Sequence, residues 1–143
     1  MSSNLEAALE SPQARVGNCY LVEAELGRGG TAHVYRVLDE RSGETLALKK
    51  LVVAPERSAN LQIMFEREYH ALAQLAHPGI VRVYDYGLDQ GSPYYTMELL
   101  AGADARTTYR NEVLSVPQAC VLLRDVASAL ALIHSRRFVH RDI

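Results

Sequence analysis

The chain has 143 residues, 48% hydrophobic and 22% charged, with a formal net charge of −2 and a pI near 6.2. That is about one domain, able to bury roughly two-thirds of its unfolded surface, and the composition excludes a disordered chain, which would be poor in Leu, Val and Ile. The slight acidity excludes a broad basic surface for nucleic acid, so none is expected as a partner.

Residues 1–18 are polar and carry Pro12 and Gly17, which predicts a flexible leader. Tyr20, Val22, Ala24 and Leu26 alternate with Glu23 and Glu25, the period of a half-buried strand. Gly27-Arg28-Gly29-Gly30 then turns the chain into a second strand from Ala32 to Leu38. A turn at residues 39–43 leads to a third strand, Glu44 to Val53, ended by Pro55. Ser58 or Asn60 can cap a helix whose apolar stripe is Leu61, Met64, Phe65, Leu72 and Leu75, and His77-Pro78-Gly79 stops it. Two further strands are predicted, Ile80 to Leu88 and Tyr94 to Leu99, around a turn at residues 89–93. A short helix is expected near Asp104 to Asn111. From Pro117 to Arg136 a helix is apolar almost all round, the mark of a helix inside a larger body. The preceding sheet covers one side of it at most, so residues 117–133 call for a further lobe or a partner. The division is therefore leader 1–18, sheet lobe and hinge 19–100, and the start of a helical lobe 101–143.

No apolar run is expected to approach the roughly 20 residues that cross a bilayer, and the N-terminal residues lack the pattern of a signal peptide. Cys19 and Cys120 lie far apart with no Cys-x-x-Cys spacing, which excludes a disulfide scaffold or a Cys-based zinc site and suits a reducing, cytoplasmic setting. Both cysteines read as small core residues. The histidines show no metal-ligand spacing, and no metal site is expected.

Four features carry chemistry. Gly27-x-Gly29-x-x-Ala32 approximates Gly-x-Gly-x-x-Gly, whose bare backbone can approach a polyphosphate. A glycine-rich hairpin corner is the plain alternative, and strand-like residues after it speak against a dinucleotide fold, which needs a helix there. The chain holds thirteen arginines but two lysines, Lys49 and Lys50. Alternation puts Lys49 beside Ala47 on one face, with room for a flat ring next to a phosphate-seeking charge. Lys50, on the other face, reads as a solvated strand lysine. Glu68 lies four residues after Met64 and four before Leu72, centrally on the apolar stripe, whereas Glu66 neighbours Gln62 and His70 on the wetter side. A carboxylate on a buried stripe calls for a partner, and Lys49 is the candidate. His140-Arg141-Asp142 closes the sequence.

In this order and spacing, Leu26-Gly27-Arg28-Gly29-Gly30, Val34-Tyr35, Leu46-Ala47-Leu48-Lys49, Phe65-Glu66-Arg67-Glu68, His77-Pro78-Gly79-Ile80-Val81, Met97-Glu98 and His140-Arg141-Asp142 resemble the eukaryotic-like protein kinases, most closely their bacterial Ser/Thr branch. The resemblance covers about residues 20–143. It implies an α+β fold: a five-stranded antiparallel lobe with one regulatory helix, then the hinge and the first helices of an incomplete helical lobe. It implies ATP as the nucleotide, with Leu26, Gly27, Arg28, Gly29, Gly30, Val34, Ala47, Lys49, Met97, Glu98 and Leu100 around it. Lys49 would touch the α- and β-phosphates and pair with Glu68, Met97 would guard the back of the adenine pocket, and Glu98 to Leu100 would form the hinge. Asp104 matches a ribose-reaching position, and a helix cap is an equal reading. Asp142 would accept the proton of a protein Ser or Thr hydroxyl.

Two departures matter. Ala32 stands for the third glycine, and the catalytic-loop Asn and Asp-Phe-Gly that hold Mg2+ in this family do not occur. The expectation is therefore the ATP-binding portion of a serine/threonine kinase, inactive by itself. The alternative is a non-catalytic nucleotide-binding or regulatory remnant.

Overall fold

A computed structural model describes residues 14–52 and 58–139 of the chain. The described strands are β1 (Arg15–Val16), β2 (Tyr20–Arg28), β3 (Ala32–Asp39), β4 (Thr45–Leu51), β5 (Val83–Asp89) and β6 (Ser92–Met97). The described helices are α1 (Ser58–Ala73), α2 (Ala105–Thr108) and α3 (Val116–Ser135). The strands form one sheet in the order β1-β2-β3-β4-β6-β5, every neighbouring pair antiparallel. Helix α1 packs chiefly on β5 and β6.

The sheet has six strands, not the expected five. The extra one, β1, lies within the stretch read as a leader, where Val16 is buried and pairs with Tyr20. Two residues are too short for a period-2 signal, so nothing in the sequence marks them. The hairpin of β5 and β6 turns on Gln90 and Gly91, both with positive φ, which lets Ser92 and Pro93 join β6. Residues 80–82 precede β5. Helix α1 begins at Ser58, so Asn60 lies inside it.

Each face of the sheet carries a core. Away from α1, Val16, Tyr20, Val37, Leu46, Leu48 and Tyr94 cluster, with the Tyr20 and Tyr94 rings edge-on at 5.8 Å. The Tyr94 hydroxyl crosses this core so closely that a Cβ on Gly17 or on Gly87 would sit 2.6 Å from it. Those two glycines leave space that no side chain can take. Beneath α1, Leu51, Phe65 and Tyr95 form the second core, joined by Ala32, Leu61, Tyr69, Leu72 and Met97. Since β6 is buried on both faces, Tyr94 belongs to one core and Tyr95 to the other.

The buried stripe of α1 thus runs through Phe65 and Tyr69, and Met64, expected on it, is 61% exposed. A sheet covers only a narrow arc of a helix, and the phase read from sequence was off by part of a turn. Cys19 packs against the first core, but Cys120 is exposed on α3, contrary to expectation.

Helix α3 opens with a capping box, Ser115 with Gln118, and Pro117 in its first turn. Its 20 residues are long and apolar enough to cross a membrane by length and composition, which corrects the expectation that no such run exists. One face meets the sheet lobe: Ala129 is buried, and Ser128 Oγ lies 3.0 Å from His77 Nε2. The opposite side leaves Val116 and Leu123 exposed, as an all-round apolar helix beside a small sheet requires.

Candidate functional site

Cross-strand register places the candidate residues on one face. Gly27 pairs with Val34, Val34 with Lys49, and Lys49 with Tyr95. Two residues along, Ala47 pairs with Met97. Directly paired residues and residues two apart share a face, so Val34, Ala47, Lys49, Tyr95 and Met97 line the side covered in part by α1. Ala47 is buried, Val34 and Met97 half-buried, and Leu26 exposed at the rim. This is the arrangement that alternation in β4 anticipates.

Lys49 Nζ donates to Glu68 Oε1 at 2.6 Å. The ammonium also lies 5.9 Å from the ring centroids of both Phe65 and Tyr95, within reach of a cation–π attraction. Glu68 is the acid that meets the sheet, whereas Glu66 turns to His70 at 3.6 Å. The expected pair is present, but its expected cause is only half right. The Glu68 side chain is 44% exposed, so it sits at the edge of the buried stripe and not at its centre.

A residue that sequence reading missed completes the pair. The Tyr95 hydroxyl donates to the same Glu68 Oε1 at 2.6 Å, and Tyr95 is 2% exposed. Burial first, then this hydrogen bond, push its phenol far above the ordinary tyrosine range. The available signal was its place in β6, two residues before Met97 and so on the same face.

The glycine turn has an open side. A Cβ on Gly27 or Gly30 would meet nothing within 4 Å, whereas one on Gly29 would press on the Ala32 carbonyl, which accepts the Gly29 N–H at 2.8 Å. Bare backbone thus borders free space at Gly27 and Gly30, as an approaching anion needs. The guanidinium of Arg28 is taken by Glu25 in a two-bond contact at 3.0 and 2.9 Å, which leaves its backbone to the turn. Ala32, in place of a third glycine, packs its methyl against the core under α1.

At the other end of the face, the Glu98 N–H goes to the Arg82 carbonyl at 2.8 Å. Among the described residues, the amides of Leu99 and Leu100 make no backbone–backbone bond. Leu100 is exposed. Asp104 caps α2, accepting the Thr107 N–H at 2.6 Å, and this contact holds its carboxyl below the usual range. Asp142 lies outside the described residues. A cavity of about 740 Å³ opens elsewhere, near His77, Arg82 and Tyr84, and shares only Glu98 with the nucleotide set. Among the described residues no three His, Cys, Asp or Glu side chains gather where they could hold a metal ion.

Lys50 corrects its own expectation. Its ammonium meets Asp89 Oδ2 at 2.5 Å on the opposite face, with side chains only 20% and 14% exposed, and Asp89 Oδ1 also accepts the Gly17 N–H at 3.1 Å. Lys50 ties β4 to the β5–β6 turn and the first strand pair.

A family model described as protein kinase domain matches residues 20–143. Serine/threonine-protein kinase PknL of Mycobacterium bovis is 35% identical over 142 residues, covering 97% of this chain and 36% of that protein. Probable serine/threonine-protein kinase SCO3848 of Streptomyces coelicolor is 36% identical over 140 residues, covering 94% of this chain and 21% of that protein. The crystal structure of the Mycobacterium tuberculosis PknI kinase domain superposes with a TM-score of 0.74 at 29% identity, over 93% of this chain and 54% of that one. The chain therefore spans about a third or less of those curated relatives, and about half of the solved kinase domain.

Proposed function

The chain belongs to the protein kinase family, and from that premise we propose that it is the ATP-binding portion of a serine/threonine protein kinase. The observation that carries this reading is the Lys49–Glu68 pair, set on the sheet face that also holds Ala47, Met97 and the open glycine turn. A flat adenine ring fits between Leu26, Val34, Ala47 and Met97, with the Glu98–Leu100 backbone along its edge. Bare backbone at Gly27 and Gly30 approaches the phosphates, and Lys49, aimed by Glu68, neutralises charge on the α- and β-phosphates. Asp142 takes the proton of a protein Ser or Thr hydroxyl. Asp104, besides capping α2, reaches a ribose hydroxyl.

The family uses Mg2+ with ATP, and the described residues do not fit that ion, since no acidic cluster forms among them. Phosphoryl transfer rests on positioning and charge stabilisation, so we propose that residues 1–143 alone bind ATP without turning it over. Free cysteines and the use of ATP support a cytoplasmic setting. The exposed side of α3 is proposed to be covered by the rest of a helical lobe.

Calorimetric titration tests this. ATP should bind the 143-residue chain more tightly than adenosine, and Lys49→Met should remove that difference. Equal affinity for the two ligands in the unsubstituted chain would overturn the phosphate assignment.

A further inference from the structure

A buried phenol is a costly choice where a phenylalanine would bury the same ring. Tyr95 is 2% exposed, packed against Phe65 at 5.1 Å and Tyr69 at 5.9 Å, and its hydroxyl points at the Glu68 carboxylate. It also stands directly across from Lys49 in the register of β4 and β6. Lys49 and Tyr95 thus converge on one oxygen, Glu68 Oε1, each at 2.6 Å.

Geometry gives the two contacts different tasks. The ammonium is the group that must reach a ligand, and it stands on a flexible four-carbon stem. The phenol is fixed by packing within the second core, so its bond to Glu68 does not move with the ligand. Glu68 itself is 44% exposed and projects from α1, which meets the sheet chiefly through β5 and β6 and not chiefly through β4. Solvent competes for such a carboxylate, and a surface ion pair alone holds it weakly. A second donor from a rigid, buried ring restrains it further.

We propose that Tyr95 is a positioning residue: its hydroxyl holds the Glu68 carboxylate, and with it α1, in the arrangement that aims Lys49 at a phosphate. The paired state is then the resting state of this chain, set by its own core before any ligand or partner arrives. Only the phosphate arm of the test below rests on the nucleotide reading of the preceding subsection.

Because the chain has two lysines, lysine-selective 13C labelling gives two side-chain Cε signals, which Lys50→Arg assigns. Tyr95→Phe keeps the ring and deletes the hydroxyl. It should move the Lys49 signal in the direction that Glu68→Gln moves it, and leave Lys50 in place. The double variant should add nothing beyond Glu68→Gln. Tyr86→Phe, which removes another phenol from the same aromatic group, should move neither signal. In the phosphate arm, Tyr95→Phe should weaken ATP by about three- to tenfold, the scale of one ordinary net hydrogen bond, with adenosine unchanged. A Lys49 signal identical in Tyr95→Phe and the unsubstituted chain overturns the proposal, as does a shift that persists undiminished in the Glu68→Gln background. If Lys49 responds as expected while no variant distinguishes ATP from adenosine, the positioning role stands and the nucleotide reading fails.

Discussion

Lys49 and Lys50 are neighbours in β4 and the only lysines of the chain, and each is paired with a different acid on a different face of the sheet. Lys49 reaches Glu68 on α1, and Lys50 reaches Asp89 at the β5–β6 turn. Two substitutions one residue apart should therefore separate function from stability. Lys49→Met should abolish the phosphate contribution to binding with little change in folding, since its pair is partly exposed. Lys50→Met leaves Asp89 without its ammonium in a mostly buried place and should cost about 1–3 kcal/mol. Urea titration read alongside ATP binding checks both. Equal stability loss in the two variants would contradict the division.

The close approach of Tyr94 to Gly87 gives a steric prediction. A Cβ at residue 87 would lie 2.6 Å from the phenol oxygen and 2.7 Å from ring carbon Cζ. Gly87→Ala should therefore destabilise the lobe by about 1–3 kcal/mol. Adding Tyr94→Phe should not restore it, because the ring carbon still blocks the methyl. Full rescue by the phenylalanine would show that the ring moves more freely than the packing of the first core implies.

Stability should depend on pH through a polar network at the edge of that core. The Arg41 guanidinium bonds Asp39 and Asp85, and the Tyr20 hydroxyl donates to Asp85 at 2.6 Å. Arg41 holds the Asp39 carboxyl below its usual range, and Tyr20, then Arg41, do the same for Asp85. Carboxyls lowered on folding bind fewer protons in the native state, so their stabilisation is present above the ordinary carboxylate range and is lost as pH falls through the lowered values. Arg41→Gln should flatten the acid limb of a stability–pH curve for this lobe. An unchanged limb would show that these acids do not drive it.

Helix α3 predicts behaviour in solution. Val116 and Leu123 are 77% and 67% exposed, and burying a side chain of this kind is worth about 1.5–3 kcal/mol. The 143-residue chain should bind hydrophobic dyes and self-associate, and removing everything after Asn111 should abolish both. Sedimentation and dye fluorescence of the two chains check this. A monomeric, dye-silent longer chain would mean that α3 finds cover on its own molecule.

Much of the site was legible because two periods are simple. Alternation places Ala47 with Lys49 and against Leu48, and helical spacing separates Glu68 from Glu66. What escaped depended on long-range contacts. Tyr95 reaches Glu68 through strand register, which pairs β6 with β4 across more than forty residues. Lys50 looked like a surface lysine because Asp89 belonged to a turn with no evident neighbour. Strand β1 was too short to show a period, and Met64 was misplaced because the sheet covers less of α1 than its apolar residues suggest.

Covalent labelling by an ATP analogue that acylates nearby lysines, mapped by mass spectrometry, discriminates between the two lysines in a single sample. Each lies on its own face, so the side on which nucleotide binds decides which one reacts. Label should fall on Lys49, disappear with excess ATP, and remain with excess free phosphate. Label on Lys50 to the same extent, or on Lys49 without competition by ATP, would contradict a nucleotide site on the α1 face of the sheet.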